Sequence, residues 1–165
     1  MAGRPIVLYA ASPEILRRKS KPVREGCGSV RQLVADLKDT LLCHPTGVGL
    51  AAPQIGVHKR VFVVRLGGDR EEAPSTPVAV INPVIVEAAC ELPDFEGWLT
   101  LPGFFTKTVR PHFLRLHAMD EHGQSFVRTL HGFDAVVVHH EIDHLDGLLL
   151  IDRLAQTEKP TLQHP

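Results

Sequence analysis

A chain of 165 residues, at roughly 150 residues per domain, has room for one domain (residues 1–165) and can bury a core without disulfide staples. Eighteen Lys and Arg against nineteen Asp and Glu leave a net charge of −1, which excludes a basic footprint for nucleic acid. The 44% hydrophobic and 22% charged residues exclude disorder, and the odd count of three Cys excludes a full disulfide framework and suits a reducing compartment.

The start, MAGRPIVLYAASPEIL, lacks a secretory apolar region, and no stretch approaches the ~18 apolar residues of a membrane span. A soluble, cytoplasmic chain is expected. Ser12-Pro13 reads as a cap followed by proline at the first helical position, predicting a short helix from Pro13 to Arg18. Val30, Leu33, Val34, Leu37 and Leu41 share one helical face, and that helix should end near His44-Pro45. Arg60 to Leu66 (RVFVVRL) reads as a strand, followed by a loop over residues 67–77. Two strands are expected in PVAVINPVIVEAACEL, split near Asn82-Pro83. His112 to Met119 and Gln124 to Leu130 form a hairpin around Glu121-His122-Gly123. Gly132 to Asp146 is the last strong element, a helix with Gly147 as its C-terminal cap. Strands in the middle, with a helix early and another late, give an α+β fold.

Ten His in a chain this short direct attention to metal or acid–base chemistry. His140-Glu141-Ile142-Asp143-His144 is an HExxH sequence on the last helix. Residues four apart lie one above the other, so both imidazoles can reach one ion, while Glu141 is rotated off that axis and can hold a water. The alternative is a pair of core-facing histidines. Val136, Val137 and Val138 favour ligation, because two imidazoles on a buried helix need partners. A catalytic site of this kind normally takes three protein ligands. Leu150 stands where a downstream histidine would be required, so a third ligand must come from upstream.

Upstream lie GVGLAAPQIG (Gly47 to Gly56) and EGWLTLPG (Glu96 to Gly103). Together with HHEIDHLDG (His139 to Gly147), these blocks resemble, in order and separation, the signature motifs of the peptide deformylases. The likeness extends from about Ile6 to Leu154, including VRPHFLRLHAMDEHG and GLLLIDRL. It implies a deformylase α+β fold with sheets around the motif helix, and removal of the formyl group from formylmethionine on nascent polypeptides. It implies that His140 and His144 are metal ligands and Glu141 the catalytic carboxylate. Gln54 and the backbone N–H of Leu99 match the donors that polarise the formyl oxygen, an oxyanion-stabilising role. Gly47 and Gly49 match positions of close backbone approach to substrate, and Arg110 a position near the substrate end. The implied cofactor is one divalent ion, Fe2+ or else Zn2+ or Ni2+. The implied partners are N-formylmethionyl peptides met near the ribosome exit, with no nucleic acid, no membrane and a monomeric chain.

One departure stands out. The family's second motif reads EGCLS, and its Cys is the third metal ligand; here the place holds Trp98. An indole offers a donor and no usable lone pair, so it cannot ligate. Cys90, eight residues away, is a poor substitute; Asp94 and Glu96 are nearer and could supply oxygen, but Glu96 matches a family residue with a structural role. His139 is turned about 100° from His140 and Asp143 is a candidate partner for a ligand His. Cys27 and Cys43 are expected to be ordinary small buried or surface residues, and His58, His112 and His122 to sit at the surface. Three readings stay open: a formyl-peptide hydrolase, a hydrolase with altered substrate, and a catalytically impaired relative that binds a peptide or partner through the old cleft.

Overall fold

The structure, a computed structural model, describes residues 3–24, 28–67 and 76–157, with side chains as far as Leu154. Helices α1 (Pro13–Arg17) and α2 (Gly28–Leu42) precede a short strand, β1 (Gly49–Ala51), and a 3-10 turn over Ala52–Ile55. Four strands follow: β2 (Val61–Val64), β3 (Val78–Trp98), β4 (Leu101–Met119) and β5 (Ser125–His131). The chain then enters α3 (Gly132–Leu145) and α4 (Leu150–Thr157). The five strands form one antiparallel sheet in the order β1-β2-β3-β4-β5. This is an α+β arrangement.

The position of β2 explains why RVFVVRL is apolar without alternation. Successive side chains point to opposite faces of a sheet. Phe62 and Val64 pack toward α3 with Leu114, Leu116, Val138 and Ile142. Val61 and Val63 pack toward α2, against Leu33, Val34, Leu37 and Leu41. The sheet is thus covered on both sides at this strand, and α3 is buried at Ala135, Val136, Val137, Val138, Ile142 and Leu145. At about 1.5–3 kcal/mol per fully buried large aliphatic side chain, this double burial dominates the local energetics.

The expected break at Asn82-Pro83 is corrected: β3 runs through it. The pairing slips between Ile81 and Val84, and Asn82 adopts a φ of 49°. The Asn82 side chain accepts the N–H of Val23 and donates to its carbonyl, both at 2.8 Å. Asparagine tolerates that backbone conformation, and a proline at a bulge forfeits no ladder bond. Two signals that suggest a turn therefore make a bulge. The first strand of the predicted hairpin begins eleven residues earlier than His112, at Leu101, and α4 is not expected from the sequence. The loop over 67–77 falls largely on residues 68–75, and Cys27 likewise lies outside the described residues.

β3 and β4 form a long hairpin that is exposed along its middle, at Val86, Leu92, Phe95 and Phe105, while its turn end is buried at Trp98 and Thr100. Near that turn Gly97 pairs with Phe105. A Cβ at Gly97 would fall 2.6 Å from the Phe105 ring, so glycine is what lets this aromatic side chain lie across the strand.

Candidate active site

The HExxH segment lies on α3, and its two imidazoles face one another, with His140 Nε2 and His144 Nε2 3.0 Å apart. His140 donates its Nδ1–H to Glu96 Oε1 at 2.6 Å, which leaves Nε2 as the acceptor nitrogen. His144 is fully buried; burial and the nearby His140 hold it well below its ordinary 6.5, so it is neutral. Its Nδ1 has no hydrogen-bond partner. Glu141 is also buried, with Oε2 unpartnered, and burial pushes its carboxyl up to about 7. A carboxyl in that range can both take and return a proton near neutrality.

Beneath the pair runs a chain of buried charges. Arg110 on β4 donates through Nε and Nη2 to Glu96, at 2.8 and 3.0 Å, and through Nη1 to Asp143 and to His139 Nδ1. Thr108 donates to the same Glu96, and Arg153 on α4 donates to Asp143 at 2.6 and 2.9 Å. Burial works to raise both carboxylates. For Glu96 the hydrogen bonds and charges of His140 and Arg110 outweigh it; for Asp143 those of Arg153 and Arg110 do. Burial lowers the His139 imidazole to about 4, which suits its role as acceptor from Arg110. The network joins β3, β4, α3 and α4, and Glu96 transmits it to His140.

A cavity of about 540 Å3 opens beside the motif helix. Its polar head holds His140, Glu141 and Gln54, its walls include Val48, Leu99, Phe133, Val136 and Val137, and Phe95 and Phe105 border it. Gln54, at the end of the 3-10 turn, accepts the N–H of Ala51 through Oε1 at 2.9 Å. The donor end of the amide is thereby left for the cavity. Leu99 follows β3 in the tight connection to β4, where Trp98 pairs with Leu101. Gly47 also lines the cavity, and a Cβ there would press on Leu41 and Leu99 side chains at 3.0 and 3.3 Å.

Gly49 makes room for Glu141. A Cβ built on it would fall 2.8 Å from the Glu141 carboxyl carbon and 2.9 Å from its Cγ. Glu141 is locked inside the protein, so the added carbon cannot be accommodated by swinging it into solvent. Gly49→Ala is expected to lose about 1–3 kcal/mol of stability through overpacking, read as a lowered thermal midpoint, and to displace the carboxylate.

Trp98 occupies the place of the implied third ligand. It is 5% exposed, its ring centroid lies 6.0 Å from that of His144 at an interplanar angle of 29°, and Tyr9 packs on it at 6.0 Å. Its Nε1 has no partner. Among the described residues no three His, Cys, Asp or Glu side chains are grouped to hold a metal ion. Two imidazoles are in place for an ion, and the three-ligand set that the resemblance implies is not.

Three expectations are corrected by this geometry. Arg110 does not face the substrate: it is 1% exposed, absent from the cavity wall, and its guanidinium is consumed by Glu96, Asp143 and His139. Asp143 serves Arg110 and Arg153 instead of a ligand histidine. His58 is no surface bystander, since it is half-buried and its Nε2–H donates to the carbonyl of Ile15 at 2.8 Å. Cys43 and Cys90 are exposed. Arg153, Tyr9, Phe95 and Phe105 were missed. An arginine following an aspartate in GLLLIDRL was the one available hint, and the aromatic residues carried none.

Comparison with known proteins identifies the family. The polypeptide deformylase family profile matches residues 4–160. A peptide deformylase of Chlorobaculum parvum is 39% identical over 159 residues, covering 96% of this chain and 83% of the relative. The crystal structure of the peptide deformylase from Ehrlichia chaffeensis superposes with a TM-score of 0.85 at 32% identity, over 95% of this chain and 90% of that one. That from Thermus thermophilus does so with a TM-score of 0.80 at 37% identity, over 93% and 87%. With the HExxH helix, the buried carboxylate and Gln54 gathered at one cavity, the chain belongs to the peptide deformylase family.

Proposed function

We propose that this chain hydrolyses the N-formyl group of formylmethionine at the amino terminus of nascent polypeptides. It would do so as a single-domain monomer, in the cytoplasm and near the ribosome exit. The family is one of hydrolases that act on nascent formylated peptides and depend on a metal. No helix among the described residues is long and apolar enough to cross a membrane. The observation that carries the reading is the buried Glu141 carboxyl, its Oε2 without a partner, lining with Gln54 the head of an apolar cavity. Iron(II), zinc(II) or nickel(II), the ions that the resemblance implies, would meet two imidazoles here, His140 and His144, and no third protein ligand among the described residues.

Glu141, Gln54 and Leu99 carry the chemistry that the chain itself supplies. A water oxygen attacks the formyl carbon while Glu141 takes its proton. Charge gathers on the formyl oxygen, where the Gln54 amide and the Leu99 N–H donate to it. The C–N bond then breaks, Glu141 returns the proton to the departing amine, and formate and a free amino terminus result. The apolar walls at Val48, Leu99 and Val137 suit the methionine side chain. Gly47, lying on the wall, suits the passage of the peptide backbone. Gln54→Ala is expected to lower kcat about 10²–10³-fold with a smaller change in KM, measured by formate release.

The test is incubation of the purified, iron(II)-loaded chain with a formyl-methionyl tripeptide and with its acetyl counterpart. Formate released from the first alone supports the reading. A second reading, favoured by Trp98 at the head of the cavity, is a peptide-binding relative without turnover. Saturable binding of the formyl peptide with no formate would support that one and overturn the first.

A further inference from the structure

We propose that the His140–His144 pair takes a divalent metal ion as an open two-imidazole site that exchanges its ion with solvent, because Trp98 stands where a third protein ligand would have to be. The proposal rests on the reading of the two histidines as a pair aimed at one ion. Their Nε2 atoms are 3.0 Å apart, and His140 is fixed in the ligating tautomer by Glu96.

Among the described residues the carboxylates near the pair are already engaged, Glu141 apart. The Glu96 oxygens serve His140, Arg110 and Thr108. The Asp143 oxygens serve Arg110 and Arg153, and His139 Nδ1 accepts from Arg110. Cys43 and Cys90 are exposed. Glu141 remains, and as the acid–base carboxyl it must stay off the ion to act on water. Trp98 cannot move aside cheaply, since it is wedged between Tyr9 and His144 in a cluster with Leu16, Leu149 and Leu150. Loss of one ligand of four weakens a zinc site by about a hundredfold.

Trp98 is also the chain's single tryptophan, which makes it a reporter on the pair it packs against. The experiment strips the full chain with a chelator and titrates it with cobalt(II) while following tryptophan fluorescence. Zinc affinity is then measured by competition with a chromophoric chelator. The parent should show saturable quenching, absent in His144→Asn, and should lose its ion on gel filtration. Trp98→Cys should bind zinc at least about a hundredfold more tightly and display thiolate-to-cobalt charge-transfer absorption. Trp98→Ser, which frees the same space without a thiolate, should stay as weak as the parent.

Retention of zinc by the parent as tight as by Trp98→Cys would overturn the proposal. So would quenching that survives in His144→Asn, no quenching in the parent, or equal tightening in Trp98→Ser. Failure of Trp98→Cys to show the thiolate band in a folded protein would overturn it as well. None of these readouts involves turnover, so they stand or fall apart from the formyl-peptide assay.

Discussion

Glu141→Gln is expected to lower kcat on a formyl-methionyl peptide by about 10²–10⁴-fold, the range for loss of a positioned acid–base group. KM should change little, because the glutamine keeps the shape of the side chain against Gly49 and the cavity head. The fold should survive. The native carboxyl has an unpartnered Oε2 in a fully buried place, and its pKa is raised from 4.5 to about 7. A carboxyl raised in this way is costlier to hold ionised in the fold than in the unfolded chain, so its destabilising effect grows as pH rises from 4.5 toward 7. The amide removes that slope. The metal-free variant should therefore unfold at equal or higher urea than the parent at pH 7 to 8. Retained turnover in a folded Glu141→Gln protein would sink the role given to this residue.

Arg110→Ala is the largest expected loss of stability. Truncation leaves Glu96 and Asp143 buried with their central partner gone, and breaking a buried pair from one side costs about 3–5 kcal/mol. The other facing groups do not replace it: His140 and Thr108 hold Glu96, Arg153 holds Asp143, and His139 offers only an acceptor. Both carboxylates are held below their unfolded values of 4.5 and 3.8. Their contribution is present above those values and fades as pH falls through the lower native ones. The gap between parent and variant in urea unfolding should therefore be widest near neutrality and narrow below about pH 4. Arg110→Lys keeps the charge but cannot span two carboxylates, and should fall between the two. An Arg110→Ala protein as stable as the parent at pH 7 would show that the network is ornamental.

Much of the fold was legible because local signals and packing agree. The α2 face repeats at helical spacing, and all five of its apolar positions are buried. The motif helix begins and ends as predicted to within a residue, since Gly147 takes the positive φ of 72° that a helix end favours. Legibility failed where non-local contacts overrule local chemistry. Pro102, Gly103 and Pro111 read as breakers, yet all three lie within β4, and Pro111 pairs with Glu91. In the site, His140, Glu141 and His144 were marked by motif spacing, and Gln54 by the family resemblance alone. The duty of Arg110 was not, because it depends on bringing Glu96 and Asp143, 14 and 33 positions away, to one buried point. A guanidinium looks the same in a sequence whether it greets a substrate or holds up a floor.

The segment before α1 has a consequence of its own. The N–H of Val7 bonds to the carbonyl of Gln54 at 2.8 Å, and that of Tyr9 to the carbonyl of Thr100 at 2.9 Å. One stretch of three residues thus clips the turn carrying Gln54 to the connection carrying Leu99. The spacing of the two donors proposed for the formyl oxygen is set by this strap. Fusions, tags or trimming at the amino end can therefore detune transition-state stabilisation while leaving the sheet, the two cores and ordinary measures of folding intact.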